Sequence, residues 1–236
     1  MEGLRAVETA LLALGLVAVA VALSLYERLG LQGDIMIAVV RSFVQLTAIG
    51  FVIEFIFGLE NVGYVALLLL VMVGFGGWTT SRRAEGVPRA FLLAAAAIGL
   101  AAVSTIGLLL LLQIVPPTAQ YLIPLGGMVV GNSMNTASLV LTRIRDHVSE
   151  QRLKASLKSA MIPLIDSTKT VGIVFLPGAM AGMIIGGASP LEAVRLQIVV
   201  MYMLLGSVSI AAILVGVFSY RSFFTPRHQL RASLLR

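Results

Sequence analysis

Seven apolar stretches divide this chain, each too long for a strand and most of bilayer length. A helix needs about 20 mostly apolar residues to cross the hydrocarbon core. The runs predict helix 1 over Leu4–Leu25, helix 2 over Ile35–Phe57, helix 3 over Val62–Trp78 and helix 4 over Ala90–Ile114. Helix 5 is expected over Leu122–Leu141, helix 6 over Ile162–Ile185 and helix 7 over Leu196–Phe218. Helix 3 is short and glycine-rich. The longest polar connection, Thr142–Ala160, reads as a helical extension or a short amphipathic helix lying on the membrane. No soluble domain fits anywhere, so residues 1–236 read as one transmembrane domain.

Composition agrees. Hydrophobic residues make up 58% and charged residues 12%, against about 45–50% and about 25% in soluble domains. The mean hydropathy is +1.00. The net charge of +6 is dispersed between the apolar runs, which marks topology rather than nucleic-acid binding. Thirteen of the 17 basic residues fall after helices 1, 3, 5 and 7, whereas Arg5 and Arg195 alone lie on the other side. The positive-inside rule then places the N-terminus outside and the C-terminus in the cytosol. The first apolar run is of full membrane length without a basic leader, so no cleaved signal is expected. The absence of cysteine excludes disulfides, zinc thiolates and thiol catalysis.

Catalytic signatures are missing: there is no G-x-S-x-G, H-E-x-x-H or P-loop. His147 and His228 fall in cytosolic segments and cannot form an intramembrane metal cage. If ATP drives this protein, another chain hydrolyses it.

Polar groups within the helices carry the remaining information, because each is costly in hydrocarbon. Helix 2 places Arg41 and Gln45 one turn apart on one face. Arg41 either lines a pathway or snorkels to the cytosolic surface. Glu54 lies nearly opposite, near the outer end, where solvation is the simpler reading. Helix 5 contains "GGMVVGNSMNTASL", in which Gly127 and Gly131 form a G-x-x-x-G for close helix approach. Asn132 and Asn135 share a face about halfway across, and Ser138 continues the stripe. They serve either interhelical hydrogen bonds or a polar lining.

Helix 6 pairs Asp166 with Lys169 near its cytosolic end. Pro177 would free the carbonyl of Ile173, and Gly178 would let the chain turn. A broken helix at membrane depth survives where protein or a water-filled cavity satisfies the freed groups, and transporters build substrate sites at such breaks. Gly178, Gly182 and Gly186 then offer a smooth face to a partner helix. Met180, Met183, Met201 and Met203 are either gap-fillers or soft-metal ligands, the second only if helices 6 and 7 bring them together.

Three stretches together resemble one family. "GNSMNTASLVLTRIRD", "IDSTKTVGIVFLPGAMAGMIIGGASPLEAVRLQIVVMYML" and "SFFTPRHQL" are similar to the permease subunits of the FetB type, which include bacterial iron-export permeases and plant aluminium-tolerance permeases. The resemblance is strongest from Ile123 to Leu230. Over the first half, helix number, Arg41–Gln45 and "RRAEGVPRAF" fit more loosely. It implies an ABC-type permease without cofactor of its own, working with a separately encoded cytosolic ATPase that binds ATP and Mg. It also implies a second copy of the permease in the assembly. The implied cargo is iron or another metal ion on the bacterial side and a nucleotide sugar on the plant side. One departure stands out. The family carries a longer stretch with an "ALGATP"-like segment between helices 5 and 6, where here "RIRDHVSEQ" passes directly into "RLKASLKSAMIPLID". That stretch is the expected ATPase contact, so its shortness bears on coupling to ATP hydrolysis.

The expected molecule is therefore an all-α, multi-pass protein of the cell membrane, acting as the permease subunit of a metal exporter rather than as an enzyme. A stand-alone ion-driven transporter is the main rival. Asn132, Asn135, Asp166, Lys169, Pro177 and Gly178 are expected to line the pathway, with Arg41 and Gln45 in support. Arg143, Arg145, Asp146, Glu150, Arg152, Lys154 and Lys158 are expected to face the ATPase, and Gly127, Gly131, Gly182 and Gly186 to pack helices.

Overall fold

The computed structural model describes the backbone of residues 2–59, 61–146 and 150–222, and the side chains of residues 14–57, 61–144 and 153–222. Among them the regular structure is helical: α1 (Glu2–Tyr26), α2 (Gln32–Leu59), α3 (Val62–Arg83), α4 (Ala90–Leu111), α5 (Ala119–Asp146), α6 (Glu150–Thr170), α7 (Gly178–Ile185) and α8 (Pro190–Ser222). The chain is an all-α, multi-pass membrane protein. Of the described helices, α2, α3, α4 and α8 are long and apolar enough to cross a bilayer. α5 falls short on composition for a physical reason. It lies among α3, α4, α6 and α8, so its buried Ser133, Thr136 and Ser138 meet protein instead of lipid.

The chain forms two compact units, Met1–Leu59 and Glu60–Arg236. In the first, α1 and α2 are joined by a tight turn. Arg28 and Gly30 adopt left-handed φ values of 54° and 72°, and the Leu31 amide donates to the buried Ser24 Oγ at 3.1 Å.

In the second unit, side-chain contacts fix the helix directions. Gly76 approaches Val130 and Met134, Gly126 approaches Leu69, and Thr80 meets Met134 and Ser138, so α3 and α5 run parallel. Gly77 faces Ala95 and Gly99 faces Val73, so α4 returns antiparallel to α3. Helix starts are capped by local chemistry. Asn61 Oδ1 accepts from the Gly63 amide at 2.8 Å to open α3. Ser189 and Glu192 exchange amide-to-side-chain bonds of 3.3 Å each, a capping box that opens α8 with Pro190 in its first turn.

Close approach occurs at glycines other than the expected ones. A Cβ on Gly77 would meet Ala95 Cβ at 2.7 Å, one on Gly216 would meet Leu157 Cδ2 at 2.8 Å, and one on Gly126 would overlap Leu69. Gly131 and Gly182 have nothing within 4 Å, and Gly127 makes an ordinary contact with Met72. Gly186 caps the end of α7, its amide donating to the Gly182 carbonyl at 2.9 Å. Within this chain the close approach therefore falls one residue before the anticipated G-x-x-x-G. A single residue turns a helical position by about 100°, which is enough to change the neighbour.

The predicted helix 6 is two helices. α6 ends at Thr170, and residues 171–177 are not helical. The break thus begins six positions before Pro177, at Val171. The run Val171–Phe175 is rich in β-branched and aromatic residues, which disfavour helix, and Gly172 takes φ +83°. Pro177 is the N-cap of α7 at φ −60°. It frees no helical carbonyl at Ile173, because the helix has already ended, and the turning glycine is Gly172 rather than Gly178.

Candidate functional site

Contacts along α6 show how this passage is mounted. Near its start, Leu153 and Leu157 flank Gly216 of α8, with Val140 of α5 on the same side. Near its end, Thr168 shares a cavity with Gln197 and Met201 of α8. α6 therefore runs antiparallel to α8. On α5, Asn135 lies level with the last turn of α3, because Arg83 Nη1 donates to Asn135 Oδ1 at 3.3 Å. Trp78 and Arg82 mark the same level, the guanidinium lying 5.7 Å from the ring centroid, an arrangement suited to a membrane interface. Asn135 thus lies towards the end of the α3 span that carries Arg82 and Arg83. Beyond it, the rest of α5 extends about 16 Å at 1.5 Å per residue, packed beside the start of α6 and the end of α8.

At this level a cleft of about 300 Å³ opens between α5, α6 and α8. Asn132, Asn135 and Thr136 line one wall and Pro163 and Ser167 the other. Asn132 Nδ2 donates to the Met128 carbonyl at 2.9 Å, which fixes the side chain and leaves its oxygen as an acceptor. Its polar groups are neutral amides and hydroxyls, Leu139, Leu164 and Val208 add apolar lining, and no carboxylate lines it. Ser138 does not continue this stripe. It is buried against α3, donating to Thr80 Oγ1 at 3.2 Å, while Thr80 Oγ1 donates to the Met134 carbonyl at 3.3 Å. This relay joins α3 to α5 and holds the asparagine face towards α6. Such interhelical bonds contribute about 0.6 kcal/mol each on average in membrane proteins.

A second chamber, of about 310 Å³, lies further along α6, at the break. Thr168, Val171 and Gly172 line it on one side, Met180 of α7 and Gln197 and Met201 of α8 on the others. Of the four methionines singled out from sequence, Met180 and Met201 converge. Met203 is buried outside this chamber, and Met183 does not line it. Gln197 was invisible to the sequence reading. It is 7% exposed and its Oε1 has no hydrogen-bond partner.

Asp166 and Lys169 do not join either space. They pair with each other at 3.5 Å, with side chains 60% and 70% exposed. Pro163, Ser167 and Thr168 occupy one face of α6, and the charged pair occupies the opposite one, as the 3.6-residue period requires. On α2, Arg41 and Gln45 share one exposed face with Ile37 and Val44. Of the basic set near α5 and α6, Arg143, Lys154 and Lys158 are exposed. The side chains of Arg145, Asp146, Glu150 and Arg152, and both histidines, lie outside the described residues.

A family model described as an uncharacterised protein family, UPF0014, matches residues 7–154 and 150–224. The chain is 42% identical to the UPF0014 membrane protein STAR2 of Oryza sativa subsp. japonica over 238 residues, covering 92% of this chain and 84% of that protein. It is 41% identical to Protein ALUMINUM SENSITIVE 3 of Arabidopsis thaliana, covering 93% and 88%. It is 33% identical to the "Probable iron export permease protein FetB" of Escherichia coli (strain K12), covering 97% and 96%. No solved structure matches. The 238 aligned positions with the rice protein exceed the share of this chain they cover, 92% of 236 or about 217 residues, by about 21. The two segments of the family match meet at residues 150–154, where the sequence shows its shortened connection.

Proposed function

From the premise that the chain belongs to the UPF0014 family and is a membrane permease, we propose that it is the membrane subunit of an ABC-type exporter for a metal ion, powered by a separate cytosolic ATPase. The observation that carries this reading is the discontinuous sixth passage beside a polar cleft. Irregular backbone at membrane depth is costly unless it lines a cavity or is covered by protein, and Val171 and Gly172 of the break line one. Transporters place cargo at such breaks. The cleft at Asn132, Asn135 and Ser167 would be the cytosolic mouth, where neutral oxygens replace part of an ion's hydration shell. Asp166 and Lys169, on the far face of α6, would stay outside that mouth.

The adjoining ends of α5 and α6 would meet the ATPase. Arg143, Lys154 and Lys158 stand exposed there. A second copy of the permease would complete the assembly. Metal cargo is favoured by the similarity to a protein named as an iron export permease and by the size of the cleft, which is at the small end of ligand pockets. A nucleotide-sugar cargo is favoured by one feature, the Arg83 guanidinium at the rim beside Asn135, because Arg suits phosphate.

The test is reconstitution in proteoliposomes with the candidate ATPase, measuring ATP hydrolysis and transport across a panel of metal ions and nucleotide sugars. Stimulation by a metal ion, with transport that requires the ATPase, is the expected result. Transport without the ATPase would identify a stand-alone ion-driven carrier, and stimulation by nucleotide sugars alone would select the second cargo.

A further inference from the structure

We propose that the chamber at the break of the sixth passage is a binding station for a soft, singly charged metal ion, Cu(I) or Ag(I), held by the thioethers of Met180 and Met201 and the side-chain oxygen of Gln197. The proposal rests on the reading of the chain as a metal-ion permease and names the class of ion that this second space accepts.

Electron-pair donors predominate among the heteroatoms of the chamber. Thr168 Oγ1 spends its proton on the Leu164 carbonyl at 2.8 Å, so only its lone pairs remain. Gln197 is buried, and its Oε1 lacks a donor. A buried acceptor without a partner calls for an explanation; of the buried side-chain oxygens in this position among the described residues, Gln197 Oε1 is the one on a residue that shares a chamber with two methionines. Two methionine sulfurs complete the set, and both are electron-pair donors. Tyr202 also lines the chamber, and its hydroxyl and the Gln197 amide nitrogen are the donors there; the two sulfurs, the Thr168 oxygen and the Gln197 oxygen are the groups that favour a cation.

The choice among cations follows from ligand softness and charge. No Asp, Glu or His lines the chamber, so a hard divalent ion would find neither an anionic oxygen nor an imidazole. Thioethers select Cu(I) and its heavier analogue Ag(I) over hard or borderline ions. A neutral ligand set in a low-dielectric site also favours the ion with least charge. The methionine side chain has three rotatable bonds and adapts to irregular space, which lets two of them close on a small ion within about 310 Å³. The break itself supplies the freedom to release it. Gly172 already occupies φ +83°, and residues 171–177 lie outside the helices, held by turn bonds such as that from the Gly172 amide to the Phe175 carbonyl at 2.9 Å.

The experiment uses the full chain, purified without any ATPase in lipid nanodiscs. Because the chain has no cysteine, thiol binding contributes nothing. Ag(I) is added directly, and retained silver is measured by equilibrium dialysis with elemental analysis. Cu(I) is tested by competition with a chromogenic chelator. The parent should retain one ion per chain. Met180→Leu should weaken retention at least tenfold, as should Met201→Leu, and Gln197→Leu several-fold. The control Met36→Leu/Met161→Leu removes two thioethers elsewhere and should leave retention unchanged. Size-exclusion profile and melting midpoint report folding. If Met201→Leu or Gln197→Leu fails to fold, the less buried Met180 decides. Retention by Met180→Leu within twofold of the parent, an equal loss in the control, or no retained ion in the parent would overturn the station. None of these outcomes touches ATP-driven transport, so the failure of this site and the failure of the permease reading remain distinguishable.

Discussion

Substituting Gly77 by Ala probes the helix packing that holds the cleft in place. An added Cβ would stand 2.7 Å from Ala95 Cβ and 3.1 Å from both Ala95 N and Cα. Carbon atoms rest comfortably at about 3.5–4.0 Å, so α3 and α4 must part by nearly 1 Å along their shared line. Two of the three opposing atoms are backbone, which cannot rotate aside. Overpacking of this kind costs about 1–3 kcal/mol. The alanine returns part of that through its better helix propensity, about 1 kcal/mol relative to glycine. The control is Gly131→Ala on α5, where nothing lies within 4 Å. It keeps the propensity gain without the clash. Gly77→Ala should therefore lie about 1–3 kcal/mol below Gly131→Ala in stability. The assay is unfolding of each variant in mixed micelles at increasing mole fraction of denaturing detergent. Equal midpoints for the two variants, or a lower one for Gly131→Ala, would refute the close α3–α4 approach at Gly77 and Ala95.

Three further outcomes are expected. Lys158→Cys, exposed on α6, should react with a membrane-impermeant maleimide in inside-out vesicles and stay unlabelled in intact cells; the reverse pattern would invert the topology. A double-mutant cycle on Asp166 and Lys169 should give a coupling below about 1 kcal/mol, as exposed pairs do; a coupling of about 3–5 kcal/mol, typical of breaking a buried pair, would place the two in a closed interface of the assembly. Gly172→Ala, forced into φ +83°, should cost about 1–2 kcal/mol, whereas Pro177→Ala, at a position already outside a helical ladder, should cost less in the same unfolding assay.

Much of this architecture was legible because the bilayer imposes one length scale on apolar runs. Val62 and Ala90 were placed as helix starts to the residue. Helix ends on the basic side were read short, at Trp78, Leu141 and Phe218 instead of Arg83, Asp146 and Ser222, because hydropathy falls where the helix leaves lipid although its hydrogen-bond ladder continues. The break was sensed at Pro177, the loudest residue in the segment. It begins at Val171, where β-branching and one left-handed glycine act together. Asn132 and Asn135 were read as sharing a face, and they line one cleft. Depth and rotation were not legible. Nothing in the sequence says that Ser138 turns to Thr80, that Arg83 reaches Asn135, or that Asp166 looks away from both. The burial of Gln197 without a partner needs the neighbouring α6 and α7 before it can be noticed.

The central claim is that the cleft between α5, α6 and α8 is a water-filled mouth open to the cytosol. Ser167→Cys places a thiol on its wall in a chain that otherwise has none. Val103→Cys places one on the exposed outer face of α4, where Val103 is 72% exposed and would meet lipid. Thiols react with maleimides as thiolates, which form in water and not in hydrocarbon. In inside-out vesicles, a membrane-impermeant maleimide should label Ser167→Cys readily and leave Val103→Cys untouched. A Ser167→Cys chain as silent as Val103→Cys would show the cleft to be dry and closed, and would contradict the account.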